Sequence, residues 1–306
     1  MASNRQDTEF LLQAYARLHE TLSRRDDSTL PTGATLGAAL ASLPQTAGSD
    51  LPAHGADRTL DHLLTDIVPA LNGQALSGRY FGFVTGGSLP IAQAADNIVS
   101  ALDQNVQVHL PNHSATTFVE DAALRMLISL LELGDPSEWP GRTFTTGATA
   151  SNVLGLACGR EAVLAARLPE GAGSAGELGL LAACQAAGVR EIQILTSMGH
   201  SSLSKAASVV GLGRRSVKEL PVSDEEPWRL DLDAVERELA REGVASIIVI
   251  SAGEVNTGRF ATHAFDMPKL RSLANRHKAW IHVDGGTFAS RFLPGALFSP
   301  FLAAFS

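Results

Sequence analysis

Three short apolar runs constrain this chain most: "EIQILTS" at 191–197, "ASIIVIS" at 245–251 and "AWIHVD" at 279–284. Each has the length of a β-strand and is rich in Ile, Val or an aromatic residue. A fourth run of β type, "RTFTT" at 142–146, precedes them. Segments 149–167, 202–210, 231–242 and 266–277 carry apolar residues at helical spacing and fall between or beside the strands. Strands that alternate with helices pair in parallel through right-handed crossovers, because near-continuous apolar strands need a helical layer on each face. The expected class is α/β, with a doubly wound, mainly parallel sheet. Such sheets bind ligands beyond the carboxyl ends of their strands, so those ends hold the informative residues.

The first part of the chain reads differently. Leu11, Tyr15, Leu18 and Leu22 recur at spacings of three and four, which predicts an amphipathic helix over 8–24. Residues 25–56 are rich in Gly, Ser, Pro and Thr and read as a linker or a loosely packed arm. Helices are expected at 60–71, 91–104 and 115–133. The expected division is an N-terminal helical arm and linker at 1–58 and the α/β domain at 59–306.

Composition limits function. With 24 basic and 32 acidic residues the net charge is -8, which argues against nucleic acid as a partner. Cys158 and Cys184 stand in Ala-rich helical stretches and read as reduced packing residues. No secretory signal opens the chain, and no apolar run reaches the roughly 18 residues that span a bilayer. The expectation is a cytoplasmic protein that neither spans a membrane nor carries a metal.

Four strand ends carry candidate chemistry. "TFTTGATASNVLGLACGR" passes from a strand through a glycine turn into a long helix. The turn from Thr146 to Ala150, with Ala148 and Thr149 at its centre, offers backbone N–H groups at a helix N-terminus; it fits a phosphate cradle or an ordinary capped turn. "ILTSMGHSSLSKAASVVGLG" places His200 just past a second strand end, where an imidazole serves as a cap or as a flat surface for stacking. Asn256 and Thr257, in "IIVISAGEVNTGRF", close a polar turn. "WIHVDGG" ends a strand on Asp284, a carboxylate that is costly to bury unless a cation or several donors face it. A protonated ring nitrogen is one such cation, and the glycines that follow let a planar ring approach the backbone. A salt bridge or an N-cap is the plain alternative. Together, a phosphate cradle, a stacking imidazole and a carboxylate for a pyridinium nitrogen describe pyridoxal 5'-phosphate, whose electron-sink chemistry needs a protonated ring.

The order "TTGATASN", "GHSSLSKAA", "NTGRF", "HVDGG" resembles the group II pyridoxal-phosphate-dependent amino-acid decarboxylases, over roughly residues 60–290. The resemblance implies a fold type I large domain and a carboxy-lyase acting on an L-amino acid. Ala148 and Thr149 would bind the cofactor phosphate, His200 would stack on the ring, and Asp284 would pair with its nitrogen. It also implies a homodimer, and helix 8–24 suits a role at its interface. Two departures stand out. Gly253-Glu254-Val255 replaces the family's Gly-Thr-Thr, and Gly285 or Gly286 stands where an alanine is usual. The aromatic stretch "GRYFGFV" at 78–84 leans towards an aromatic substrate, although Arg79 equally suits an acidic one.

The family holds its cofactor on a Schiff-base lysine downstream of the aspartate, whereas the four lysines of this chain, Lys205, Lys218, Lys269 and Lys278, all precede Asp284. The resemblance therefore suggests a form truncated before that lysine and before the small C-terminal domain. The competing expectation is a non-catalytic member of the same fold that acts by binding or subunit association. "GAGSAG" at 171–176 matches a dinucleotide fingerprint but follows a helix rather than a strand. His109 and His113 have zinc-like spacing, yet Pro111 prevents one helix face from presenting both.

Overall fold

Strands β1 (Glu191–Thr196), β2 (Val217–Glu219), β3 (Val244–Ser251) and β4 (Trp280–Asp284) form one sheet in the order β2-β1-β3-β4, every pair parallel. The computed structural model describes residues 2–26, 28–43, 54–80, 82, 87–104, 109–254 and 256–286. These fall into two units, Met1–Asp103 and Gln104–Ser306, and the sheet lies in the second.

Alternation along each strand sorts the core into two layers. Ile192 and Ile194 of β1 and Ala245, Ile247 and Val249 of β3 pack with Leu156, Val163 and Leu164 of α6 (Ala148–Ala165) and with Ala183 of α8 (Leu180–Ala186). Leu203, Ala206 and Ala207 of α9 (Ser201–Val209) complete that layer. The intervening residues Leu195, Ile248 and Ile250 meet Val235 and Leu239 of α10 (Leu232–Leu239) and Leu270, Leu273 and Ala274 of α11 (Met267–Arg276). Each leucine fully withdrawn from water, such as Leu156 or Leu270, contributes about 2 kcal/mol. The fold is thus α/β, the doubly wound class that the alternating runs imply.

Topology also places the crevice. After β1 the chain crosses through α9 to β2 on one side, then returns through α10 to β3 on the other. The order in which successive strands are laid down reverses between β1 and β3, and the crevice opens at their carboxyl ends.

Some expectations need correction. Residues 142–146 do not join the sheet. The backbone N–H of Phe144 donates to Glu120 Oε1 at 3.3 Å, and Arg142 is held by Asp121 and the Pro136 carbonyl, so α5 (Thr116–Leu130) occupies groups a strand would need. The short edge strand β2, "VKE", carries too little apolar signal to be read from sequence. The stretch read as a linker contains α2 (Gly33–Ser42), whose N-cap Thr32 accepts from the N–H of Thr35.

The first unit is helical: α1 (Ala2–Ser23), α2, α3 (Gly55–His62) and α4 (Pro90–Ala101). α3 runs on through a π turn, Leu63–Ile67, and a 3-10 turn, Val68–Ala70, that contains Pro69. Tyr15 donates to Asn97 Oδ1 at 2.8 Å, and Arg25 donates to the Leu71 carbonyl at 2.7 Å. No helix among the described residues is long and apolar enough to cross a membrane.

Candidate cofactor site

The site is built where the first turns of α6 lie along β4. Trp280, His282 and Asp284 occupy alternate positions and share one face of their strand. Opposite them, α6 presents Gly159, Gly155 and Asn152 in reverse order. A Cβ on Gly159 would sit 2.8 Å from Trp280 Cδ1, and one on Gly155 would enter the imidazole of His282. These glycines let the helix settle onto the strand. One turn further, a Cβ on Gly286 would lie 3.1 Å from that of Ala148, so the glycine run after Asp284 keeps the helix start close.

Asn152, only 2% exposed, ties the two elements together. Its Nδ2 donates to Asp284 Oδ2 at 3.0 Å and to Ser202 Oγ at 3.1 Å, while its Oδ1 accepts from His282 Nε2 at 2.7 Å. Burial pushes the His282 imidazole below its ordinary pKa, and the nearby Asp284 carboxylate opposes that shift only in part. Burial thus favours the neutral form of His282. Asp284 Oδ1 receives one long contact, from the Gly286 N–H at 3.4 Å. Among the described residues no lysine or arginine pairs with Asp284.

His200 stands at the N-cap of α9. Its Nδ1 accepts from the Ser202 N–H at 3.3 Å and lies 2.8 Å from Ser202 Oγ, which leaves the exposed ring held along one edge. Ala148 and Thr149 form the exposed first turn of α6. Its N-cap, Gly147, adopts φ 154°, a conformation that favours glycine, and supplies no side-chain cap. The Thr145 hydroxyl bonds instead to the Gly147 carbonyl and to Ser151 Oγ. The N–H groups that open this 18-residue helix therefore point outwards without a capping side chain, which suits an anion. At the end of β1, Thr196 Oγ1 is buried with no hydrogen-bond partner among the described residues.

Other candidates have structural roles. Glu254 Oε1 accepts from both nitrogens of Asn256, and Oε2 accepts from the Thr257 N–H at 2.8 Å, so this carboxylate closes the turn that follows β3. The "GAGSAG" segment follows α6 and enters α7 (Ala175–Leu178) through a Ser174–Glu177 capping box, with no strand before it. His109 Nδ1 lies 2.6 Å from Thr117 Oγ1, and its ring packs edge-on against Phe118. Val255, Phe81, Phe83 and Val84 of "GRYFGFV" and the apolar tail after Gly286 lie outside the described residues.

Asn152 and Ser202 are the members sequence reasoning missed. Their signal was the small-residue spacing Ala148, Asn152, Gly155, Gly159, which marks one face of α6. An anion-binding helix start, a carboxylate with one oxygen open and an edge-held imidazole together fit a phosphorylated pyridine.

A diaminobutyrate decarboxylase of Acinetobacter baumannii is 29% identical over 146 residues, 46% of this chain and 27% of that protein. The chain is also similar to a glutamate decarboxylase-like protein of Gibberella zeae, 26% identical over 62% of this chain and 33% of that protein. No family model matches this chain. Its fold is that of the glutamate decarboxylase domain of a Vibrio parahaemolyticus protein, with a TM-score of 0.71 at 20% identity, over 91% of this chain and 57% of that one. The TDC of Oryza sativa, solved with PLP and tryptamine, superposes with a TM-score of 0.62 at 21% identity, over 92% of this chain and 56% of its own. The chain thus spans about half the length of these decarboxylase structures, and less of the curated relatives.

Proposed function

We propose that this chain carries the cofactor half of a decarboxylase site for an L-amino acid. The observation that supports it best is the convergence of the uncapped α6 start, the half-open Asp284 carboxylate and the His200 ring on one side of the sheet. Bound pyridoxal phosphate supplies the electron sink for the pair left when the α-carboxylate departs as carbon dioxide. The N–H groups at Ala148 and Thr149 hold the phosphate with the help of the helix dipole. Asp284 Oδ1 accepts the ring N–H and keeps the proton there, because an anion beside it favours the cationic ring. His200 covers one face of the ring and keeps water from it.

None of the four lysines stands beside Asp284. Lys218 is bonded to Gln193, Glu191 and Glu238, Lys269 to Asp233, and Lys278 to the Ala166 carbonyl at the other end of β4. Lys205 sits exposed on α9, five positions past His200. Cofactor binding by these 306 residues is therefore proposed to be non-covalent, which favours the binding reading over turnover for this chain alone. Pyridoxal phosphate should bind at micromolar levels with an induced circular dichroism band, and borohydride should label no lysine stoichiometrically. A well-folded protein that leaves the cofactor spectrum untouched would sink the cofactor reading. Stoichiometric labelling of one lysine, with release of carbon dioxide from diaminobutyrate, aspartate, glutamate or an aromatic amino acid, would overturn the non-covalent part and name the substrate.

A further inference from the structure

We infer that Asn152 is the positioning residue of this site: one carboxamide sets the plane of Asp284 and the proton position of His282, and backs the serine that holds His200. Its functional meaning rests on the proposed cofactor reading, but its geometry belongs to the protein alone.

The argument runs through donors and acceptors. An ionised Asp284 only accepts, so Asn152 must turn its NH2 group towards Oδ2; the flipped amide would set a carbonyl oxygen against a carboxylate. Oδ1 of Asn152 then faces His282 Nε2, which must donate across the 2.7 Å contact. His282 is held as the neutral Nε2–H form. On the other branch, Asn152 Nδ2 occupies Ser202 Oγ as an acceptor. The Ser202 backbone N–H donates to His200 Nδ1, so that nitrogen carries no proton and the Ser202 hydroxyl donates to it as well. His200 therefore carries its proton on Nε2, away from the helix. Asn152 thus fixes the His282 tautomer directly, and through Ser202 Oγ it backs the serine that holds His200.

The consequence lies in which oxygen is left. Asp284 Oδ2 is consumed by Asn152, so its plane is pinned and Oδ1 is presented to the ligand side. Removing the amide frees the carboxylate to rotate, and ring recognition then costs the entropy of holding it.

The test needs no turnover. In 15N-labelled protein without cofactor, long-range proton–nitrogen correlation should show His200 and His282 as neutral Nε2–H tautomers. Asn152→Ala should release His282 to a mixture of tautomers, loosen His200, and weaken pyridoxal phosphate binding roughly tenfold. Ser202→Ala, a milder change, keeps the backbone N–H and should only loosen the His200 ring, keep the His282 tautomer and weaken binding by less, about threefold. It carries the test if Asn152→Ala fails to fold. Unchanged tautomers in Asn152→Ala, or loss of the His282 tautomer in Ser202→Ala, would overturn the inference. The cofactor reading fails separately, by an absence of binding in the parent protein whatever the tautomers do.

Discussion

Two polar networks sit on the same sheet, on opposite faces and towards opposite ends. On the α10 face, Gln193 is fully buried. Its Nε2 donates to Ser246 Oγ and the Glu238 carbonyl, and its Oε1 accepts from Lys218 and Arg241. Around it, Lys218 and Arg241 pair with both Glu191 and Glu238. Two cations meet two anions and the circuit closes. On the α6 face, Asn152 links Asp284 to Ser202 and His282, and among the described residues no lysine or arginine pairs with the carboxylate, one oxygen of which receives a single long contact. The first network holds strands and helices in register. The second presents a carboxylate without a cationic partner among the described residues, a charge that a protein holds at a cost unless a ligand supplies the counter-charge.

Substitution of the open charge should give the largest effect. Asp284→Asn keeps the shape but removes the anion that a pyridinium nitrogen needs. Cofactor affinity should fall by about 3 kcal/mol, roughly a hundredfold, while the urea midpoint barely moves. If titration shows affinity and spectrum unaltered, Asp284 belongs with Glu191 as a structural carboxylate, and the contrast between the networks collapses.

The closed network should show the reverse pattern. Lys218→Met leaves Glu191 and Glu238 facing each other with Arg241 alone between them. Hydrogen bonds from Lys218, then Arg241, hold Glu191 below the usual carboxylate range; at Glu238 burial opposes, yet the same two donors win. Side-chain exposures of 27% for Lys218 and 35% for Glu191 admit screening water, so the loss should be about 1–2 kcal/mol, not the full cost of a buried pair. Urea unfolding measures it, and pyridoxal phosphate affinity should not change. A weakened cofactor with an unmoved midpoint would show that the two networks are coupled through the sheet.

The two networks were not equally legible in the sequence. The layered core was, because Ile and Val runs of strand length alternate with helices and leave few other packings. His200 and Asp284 were visible because each closes a strand and precedes small residues. The partners that organise them were not. Asn152 comes from a helix 132 residues before Asp284, and nothing local says that its amide points at a carboxylate. The missed strand β2 and the false strand at 142–146 fail for a shared reason. Edge pairing and side-chain capture by a neighbouring helix are tertiary facts, and both overrode local propensity. Glu254 shows the same limit: it reads as a departure near the ligand, yet three donors of its own turn take up its carboxylate.

The smallest expected effect separates the networks by pH. Burial lowers the His282 pKa beneath its ordinary value near 6.5, so the unfolded chain binds that proton first as pH falls. Stability from this group is full above about pH 6.5 and declines below it, with a slope of at most about 1.4 kcal/mol per pH unit for one proton. Glu191 and Glu238 have lowered values, so their contribution is intact above the ordinary carboxylate range near 4.3 and is lost only as pH falls through it. Between about pH 5 and 6.5 the open site titrates and the closed one does not. His282→Gln can keep an N–H donor for Asn152 Oδ1 while removing the titration. The difference in unfolding free energy between parent and variant should therefore change with pH in that window and level off above it, since the other histidines cancel in the comparison. Parallel curves from pH 5 to 7.5 would mean that His282 takes up its proton equally in the folded and unfolded chain, and that burial does not hold it neutral. A parent advantage that fell as pH rose would mean that His282 is charged in the folded state: its Nε2 would still donate to Asn152 Oδ1, and Asp284 would have found its counter-charge inside the protein instead of in a ligand.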